Sequence, residues 1–194
     1  QLDFEMAFAT QEEVLDVCED VIYDTFTTFS DKKVTPKPFR RITYADAMMY
    51  YGSDKPDLRN PLIICDLTDF FAGVNFPAFK GRPVRGIVAD CSAKTNKFFE
   101  NSLKFATSDA VGLGGLGYIT LKDNVFLGPI AKFLSEEQKE EVKALTNVKE
   151  GETLFFICDD KKNDTEKKAG MIREWLAKKD QLDLIRDDAF EFCF

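Results

Sequence analysis

The chain of 194 residues contains no histidine, and this absence excludes several kinds of chemistry together. Without imidazole, the chain itself holds no Ser–His or Cys–His nucleophile pair and no histidine ligand for a metal. If the chain belongs to an enzyme, its acid–base or metal chemistry is carried by carboxylates or lies outside these residues.

Long apolar runs are also missing from the sequence. None approaches the roughly 18 residues that a membrane-spanning helix requires, and no basic start leads into an apolar segment as in a signal peptide. We therefore expect no membrane partner. The sequence also lacks an initiator methionine and opens on Gln1 inside a strand-like pattern, which indicates a fragment of a longer protein.

The five cysteines never occur in C-x-x-C spacing, and most lie in apolar stretches such as "LIIC" and "LFFIC". Buried free thiols in a reducing cytoplasm explain this pattern better than disulfides or a zinc site. We therefore expect a cytoplasmic protein with no metal site in this chain.

The net charge of −8 argues against strong non-specific binding of nucleic acid, because neutralising phosphates needs a basic surface. One local basic cluster is formed by Lys32, Lys33, Lys37, Arg40 and Arg41. A solvated loop is the favoured interpretation of such a run.

The first segment, "QLDFEMAF", alternates polar and apolar residues and therefore predicts a half-buried strand. Its polar face carries Gln1, Asp3 and Glu5. Spacing alone favours the interpretation that these residues form the solvent-exposed face of an edge strand. The alternative is the polar wall of a pocket for a ligand with a positive group, since alternate strand positions point into one cavity.

Several helix boundaries are marked by capping signals. Two capping boxes, "TQEE" and "SEEQ", predict one helix from Thr10 to about Phe29 and another over 136–146. "YADAMMYY" predicts a short helix that begins at Thr43 and ends with Gly52 as a left-handed cap. Further helices are predicted over 96–107 and in "DTEKKAGMIREWLAKKD".

Apolar segments separated by glycine and proline predict strands and turns between these helices. They are "LIICDLTDFF", "FPAF", "VRGIVAD", "GYITL", "TLFFICDD" and the final "AFEFCF". Their alternation with helices from about residue 62 to 183 predicts a compact α+β domain attached to a piece of another domain. The spacing of "GLGGLG" fits a dinucleotide motif, but that motif needs a strand before it and a helix after it. Because the order here is reversed, a flexible connection is predicted and a nucleotide-dependent enzyme built on this motif is rejected.

The stretch "YGSDKPDLRN" follows the short helix directly and is densely charged. Two interpretations stay open for Asp54, Lys55, Asp57 and Arg59. They form a salt-bridged cap, pairing with one another and with backbone amides, or they belong to a loop that faces a substrate.

The strings "QLDFEMAFATQEEVLDV", "FRRITYADAMMYYGSDKPDLRNP" and "GPIAKFLSEE" together resemble the bacterial type of aspartyl-tRNA synthetase, in the family's order and over nearly the whole chain. The resemblance implies a class II synthetase with an antiparallel catalytic sheet and an inserted GAD domain. Residues 1–61 would be part of the catalytic domain, residues 62–184 the GAD-like insertion, and residues 185–194 the strand returning to the catalytic sheet.

The resemblance also implies an activity and its site. Such enzymes activate L-aspartate with ATP and Mg²⁺ and transfer it to tRNA(Asp), as homodimers. Asp3 would bind the ammonium group of aspartate, and Gln1 and Glu5 would help to shape the same wall. The loop residues would lie at the rim of the active site or face tRNA, namely Asp54, Lys55, Asp57 and Arg59.

Several functional segments of the family's enzymes are not contained in this chain. The arginines that bind ATP would lie before Gln1 and beyond Phe194, as would the residues selecting the aspartate side chain and the anticodon-binding barrel. We therefore expect the isolated chain to be inactive, with no catalytic residue and no bound cofactor of its own. "KKAGMIREWLAKK" matches the family only loosely, so the surface of that helix is expected to differ.

A rival interpretation is a non-catalytic module that binds tRNA or a protein partner. GAD-like domains also occur in subunits of tRNA-dependent amidotransferases, so the fold alone does not imply synthetase activity. The strings "QLDFE" and "YGSDKPDLR" favour the synthetase, since they have no reason to occur in an amidotransferase subunit.

Overall fold

The computed structural model of the chain describes residues 3–194. The chain divides into two compact units, which are taken separately. The first consists of residues up to 42, 57–59 and 186–194, and the second of residues 43–56 and 60–185.

The second unit is built on a five-stranded sheet. Its strands are β2 (Ile64–Asp66), β3 (Val84–Asp90), β4 (Gly117–Lys122), β5 (Val125–Leu127) and β6 (Glu152–Cys158). They lie in the order β2-β3-β6-β4-β5, and every neighbouring pair is antiparallel. The predicted α+β class is confirmed.

Helices cover both faces of this sheet. They are α2 (Tyr44–Tyr51), α3 (Thr68–Ala72), α4 (Asn96–Ala106), α5 (Glu136–Thr146) and α6 (Lys162–Ala177), with a short 3-10 helix over Ala131–Phe133. Strand β6 is apolar at nearly every position because both of its faces are buried. Phe155 belongs to the core cluster that includes Ile172 and Leu176 of α6. Its neighbour Phe156 belongs to the opposite cluster, with Phe71 of α3.

The caps predicted from the sequence are present. Helix α1 (Gln11–Phe29) begins with the Thr10–Glu13 capping box, and α5 begins with the matching box of Ser135 and Gln138. Helix α2 ends on Gly52, which has φ +67°, a conformation that costs glycine little.

The first unit consists of helix α1 and two short strands, β1 (Lys33–Val34) and β7 (Ala189–Phe190), that pair in parallel. An aromatic cluster joins them: the ring of Phe26 lies 4.7 Å from that of Phe190 and 4.9 Å from that of Phe192. No described residue of α1 is buried. The apolar stripe that predicted this helix is therefore only partly covered within residues 3–194.

Two expectations about secondary structure were wrong. The strand predicted over Gln1–Phe8 is not formed over residues 3–8, which lack regular structure and are largely exposed. A strand is completed by hydrogen bonds to a neighbour, and within residues 3–194 none pairs with this segment. In "LIICDLTDFF", only Ile64–Asp66 is a strand, because the apolar pair Phe70 and Phe71 lies on the short helix α3.

None of the helices in residues 3–194 is long and apolar enough to cross a membrane.

Candidate functional site

The predicted pocket residues begin the first unit. Gln1 lies outside the described residues, whereas Asp3 and Glu5 are both exposed. No other side chain within residues 3–194 forms an ion pair with either carboxylate. Both carboxylates are thus open to solvent and accessible to a cationic group.

The loop after α2 forms ion pairs within itself. In the second unit, Lys55 Nζ lies 2.7 Å from the Asp54 carboxylate, and the Lys55 amide donates to Ser53 Oγ at 3.1 Å. The hydrogen bond from Lys55 lowers the pKa of Asp54. These contacts are the ones that the salt-bridged interpretation of the loop requires.

Arg59 and Asp57, in the first unit, form a bidentate pair. The Arg59 side chain donates through Nε to Asp57 Oδ1 at 3.0 Å and through Nη2 to Oδ2 at 2.8 Å. This fork geometry gives the strongest kind of arginine–carboxylate contact, and it raises the pKa of Arg59. The guanidinium is thereby oriented by its neighbour two residues away.

Helices α2 and α6 meet through two glycines. A Cβ added at Gly52 would lie 2.3 Å from the Glu166 carbonyl oxygen, and one added at Gly170 would lie 2.5 Å from the Gly52 carbonyl oxygen. Real Cβ atoms do not approach backbone this closely. The end of α2, from which the charged loop departs, is therefore fixed against the middle of α6.

Arg173 of α6 fixes the start of the chain that leads into β2. Its side chain is 1% exposed, and it donates to the carbonyls of Leu62 at 2.6 Å and Asn60 at 2.8 Å. Its guanidinium also lies 5.0 Å from the centre of the Tyr51 ring. The sequence predicted no role for Arg173, and its partners lie too far away along the chain to be found from spacing.

Part of the basic cluster forms salt bridges within the first unit. Salt bridges join Lys33 to Asp188 at 3.2 Å, Lys37 to Asp20 at 2.6 Å and Arg41 to Glu12 at 2.9 Å. Three of the five cationic side chains of the run are thus paired with carboxylates. The sequence predicted a solvated loop here and did not predict these ion pairs.

A second buried arginine stabilises the sheet of the second unit. Arg85 on β3 is 1% exposed and pairs with Asp66 at 2.7 Å and with Glu166 at 2.9 Å. Removing one partner of such a buried pair leaves an uncompensated charge. This triad therefore connects β2, β3 and α6.

An open cleft of about 730 Å³ lies elsewhere in the second unit. Its walls come from α4, from the "GLGGLG" segment that enters β4, and from the loop before β3. "GLGGLG" is the helix-to-strand connection predicted from the sequence. Cys158 also lines the cleft, but burial raises the pKa of its thiol to about 11, which makes it a poor nucleophile at neutral pH.

Lys168 contacts the backbone at the start of the "GLGGLG" segment. Its Nζ donates to the Gly112 carbonyl at 2.9 Å and forms a short ion pair with Asp159. The hydrogen bond from Lys168 lowers the pKa of Asp159 below its usual value of 3.8. The folded protein therefore binds this proton more weakly than the unfolded chain does.

The pH dependence of stability follows from that shift. Because the pKa of Asp159 is depressed on folding, the stabilisation is present above pH 3.8 and is lost as pH falls towards the folded value. Replacing Lys168 by methionine should lower the free energy of unfolding at neutral pH by about 1 kcal/mol for this partly exposed pair. It should also flatten the acid limb of the stability curve.

Urea unfolding followed by the fluorescence of Trp175, the single tryptophan, measures the first effect at neutral pH and the second at pH values below 3.8. The exposed Lys104→Met is the control and should leave the acid limb unchanged. Parallel acid limbs for wild type and Lys168→Met would contradict the assignment of this ion pair.

Comparison with known proteins places the chain in a family. The model of "tRNA synthetases class II (D, K and N)" matches residues 1–187. The chain therefore belongs to the class II tRNA synthetases.

A protein named aspartate–tRNA(Asp/Asn) ligase from Rickettsia canadensis (strain McKiel) is 47% identical over 201 aligned residues, which cover 100% of this chain. Proteins of the same name from Ehrlichia chaffeensis and from Wolbachia pipientis are 45% and 44% identical over the same extent. The chain spans about one third, 33%, of the length of these relatives.

One solved structure, the hypothetical protein PH0730 from Pyrococcus horikoshii OT3, is 18% identical and has a TM-score of 0.33, with 54% of this chain and 55% of the other covered. A likeness this weak carries no conclusion about fold or function.

Proposed function

We propose that this chain is a segment of an aspartate–tRNA ligase that activates L-aspartate with ATP and transfers it to tRNA(Asp). The observation that carries the proposal is the match over the full chain, at 44–47% identity, to proteins named aspartate–tRNA(Asp/Asn) ligase. The whole enzyme would act in the cytoplasm as a homodimer. Because the relatives' names include tRNA(Asn), charging assays should offer both tRNAs.

The proposal also assigns each part of the chain to a domain of the ligase. Residues 1–61 would be catalytic-domain material, residues 62–184 a GAD-type insertion domain, and residues 185–194 the return to the catalytic sheet. The two-sided core of the second unit, around the five-stranded sheet, supports an insertion that folds around its own core. The apolar stripe of α1, none of whose residues is fully buried, supports a first unit that completes its packing elsewhere.

Asp3 would bind the ammonium group of aspartate, with Gln1 and Glu5 shaping the same wall. An ammonium group prefers a carboxylate together with neutral acceptors, and a charge-assisted hydrogen bond between them is strong. The exposed carboxylates of Asp3 and Glu5 support this role. The loop with Asp54, Lys55, Asp57 and Arg59 would form part of the rim of the active site or face tRNA.

ATP and Mg²⁺ would be bound by other parts of the enzyme. Within residues 3–194, no group of three acidic or cysteine side chains is arranged to hold a metal ion. In the first unit, Arg41, Arg59 and Arg186 are each paired to a carboxylate. No step of nucleotide chemistry is therefore assigned to the described residues.

The rival function, a non-catalytic module of an amidotransferase subunit, is not favoured. The class II family model extends through the first residues and the charged loop as well as the second unit. The relatives that align over the whole chain carry the ligase name.

Aspartate-dependent exchange of pyrophosphate into ATP tests the proposal. The longer protein that carries this chain should exchange, whereas the isolated chain should not, since the proposal assigns ATP binding to other segments. A well-folded longer protein without exchange would overturn the ligase proposal, and exchange by the isolated chain would overturn the assignment of ATP binding to other segments.

A further inference from the structure

The cleft of about 730 Å³ in the second unit is not used by the proposed chemistry. Its volume lies within the range of roughly 300–1,000 Å³ that is usual for sites binding small organic groups. All of its lining residues belong to the second unit.

The walls of the cleft are aromatic. Phe99 of α4 and Tyr118 of β4 both line it, with ring centroids 4.5 Å apart and planes inclined by 18°. Both side chains are half-buried and therefore keep exposed ring surface. Phe76 and Phe79 line the cleft as well and contact each other edge to face at 4.7 Å. Such walls suit a flat ring that stacks on them.

Polar groups are also present, and they include both donors and acceptors. Asn96 and Glu100 of α4 line the cleft. The carboxylate of Glu100 accepts hydrogen bonds, and the amide of Asn96 both donates and accepts. The edge of a nucleobase carries donors and acceptors together, whereas an apolar peptide side chain carries neither.

The charges argue for binding of a base rather than of phosphates. Among the described residues, Arg82 is the one cation that lines the cleft, and its guanidinium is already paired with Asp160 at 3.1 Å. Glu100 contributes a negative charge. Proteins bind a nucleic-acid duplex mainly through its phosphates. The cleft offers little positive charge to neutralise them.

Access to the cleft is kept open by two glycines. A Cβ at Gly114 or Gly115 would meet no atom within 4 Å, and neither residue has a positive φ. Side chains could therefore be placed there without strain. In the wild-type protein, their absence leaves room for a bulky ligand to approach the cleft. From the walls, the polar groups, the charges and this open mouth together, we infer that the cleft binds an unpaired nucleobase of a single-stranded RNA segment. The identification of that segment as part of a bound tRNA rests on the proposed ligase function.

The inference is tested by binding of fluorescently labelled oligoadenylate, oligocytidylate and oligouridylate to the full 194-residue chain, measured by anisotropy. At least one of the three should bind, and Gly115→Leu and Gly114→Leu should abolish that binding by filling the cleft. Phe99→Leu keeps an apolar side chain in place but should weaken binding about 5- to 100-fold, the range for losing one base–aromatic stack. Gly73→Leu is the control, because Gly73 is exposed, has no positive φ and lies outside the cleft.

Salt and competitors separate the remaining explanations. With a single paired arginine in the cleft, the slope of log K against log salt concentration should be no steeper than about −0.7, the value for one phosphate contact on a single strand. Competition by nucleoside monophosphates as strong as that by the oligonucleotide would overturn an RNA strand as the occupant.

Two results would overturn the cleft proposal as a whole. The first is that none of the three RNAs binds. The second is that Gly114→Leu and Gly115→Leu bind RNA with the same affinity as the wild type. In both cases Trp175 fluorescence verifies that the proteins are folded. The pyrophosphate-exchange assay contains no RNA, so either result would leave the ligase proposal standing. Conversely, loss of the ligase proposal would not by itself remove RNA binding in the cleft.

Discussion

Replacing Asp3 by alanine in the complete ligase should raise the KM for aspartate about 100-fold or more. In the proposed site, the Asp3 carboxylate pairs with the ammonium group of the substrate. Truncating one member of a buried, hydrogen-bonded charge pair costs about 2–5 kcal/mol, and about 3 kcal/mol corresponds to this factor. The aspartate dependence of pyrophosphate exchange measures the effect directly, with the KM for ATP recorded in parallel.

The matched control is Asp16→Ala, which removes an exposed carboxylate from helix α1. Its KM for aspartate should equal that of the wild type. Asp3→Asn separates charge from shape, since it retains an acceptor but loses the negative charge, and its KM should be raised nearly as far. An aspartate KM that is unchanged in Asp3→Ala would remove Asp3 from the binding site.

Substituting Gly52 by alanine should destabilise the second unit by about 3 kcal/mol. The new Cβ would lie 2.3 Å from the carbonyl oxygen of Glu166 and 2.5 Å from the backbone nitrogen of Gly170. Backbone atoms of a packed helix cannot yield as a flexible side chain can, and overpacking of this kind costs about 1–3 kcal/mol. The φ of +67° adds about 1–2 kcal/mol for a residue with a Cβ.

Urea denaturation of the chain, followed through Trp175 in α6, measures this loss as a lower midpoint at an unchanged slope. The control is Gly73→Ala, whose Cβ would make an ordinary contact of 3.7 Å with the Phe70 carbonyl oxygen. It should change the stability by no more than about 0.5 kcal/mol. Equal midpoints for Gly52→Ala and wild type would show that α2 does not pack closely against α6.

Local signals made much of the fold predictable. The capping boxes at Thr10 and Ser135 and the glycine cap at residue 52 depend only on residues within one helical turn, and the structure contains all three. The apolar run of β6 likewise reflects burial on both faces. Such features are encoded within a few residues of sequence.

The features that failed or were missed depend on distant residues. The strand predicted at the start requires a pairing partner, and residues 3–194 supply none for it. Arg173 and Asn60, which exchange hydrogen bonds, are 113 residues apart in sequence. The cleft combines residues from five separate segments, and only "GLGGLG" drew attention in the sequence, where its element order argued against a dinucleotide site. Spacing within one segment reveals none of these contacts.

The roles of Gln1, Asp3, Glu5 and the charged loop came from resemblance rather than from geometry. Alternation along a strand suggested one polar face, but that strand does not form over residues 3–8. The pairing of Asp54 with Lys55 and of Asp57 with Arg59 explains how the loop side chains are oriented. Their part in substrate or tRNA binding stays a prediction.

A chimeric enzyme tests the central claim most directly. This chain would replace the matching segment, 33% of the length, of the Rickettsia canadensis ligase, to which it is 47% identical. If the chain is the equivalent part of an aspartate–tRNA ligase, the folded chimera should catalyse aspartate-dependent pyrophosphate exchange, and Asp3→Ala within it should raise the KM for aspartate. A chimera that unfolds as cooperatively as the parent enzyme but shows no aspartate-dependent exchange would contradict the account.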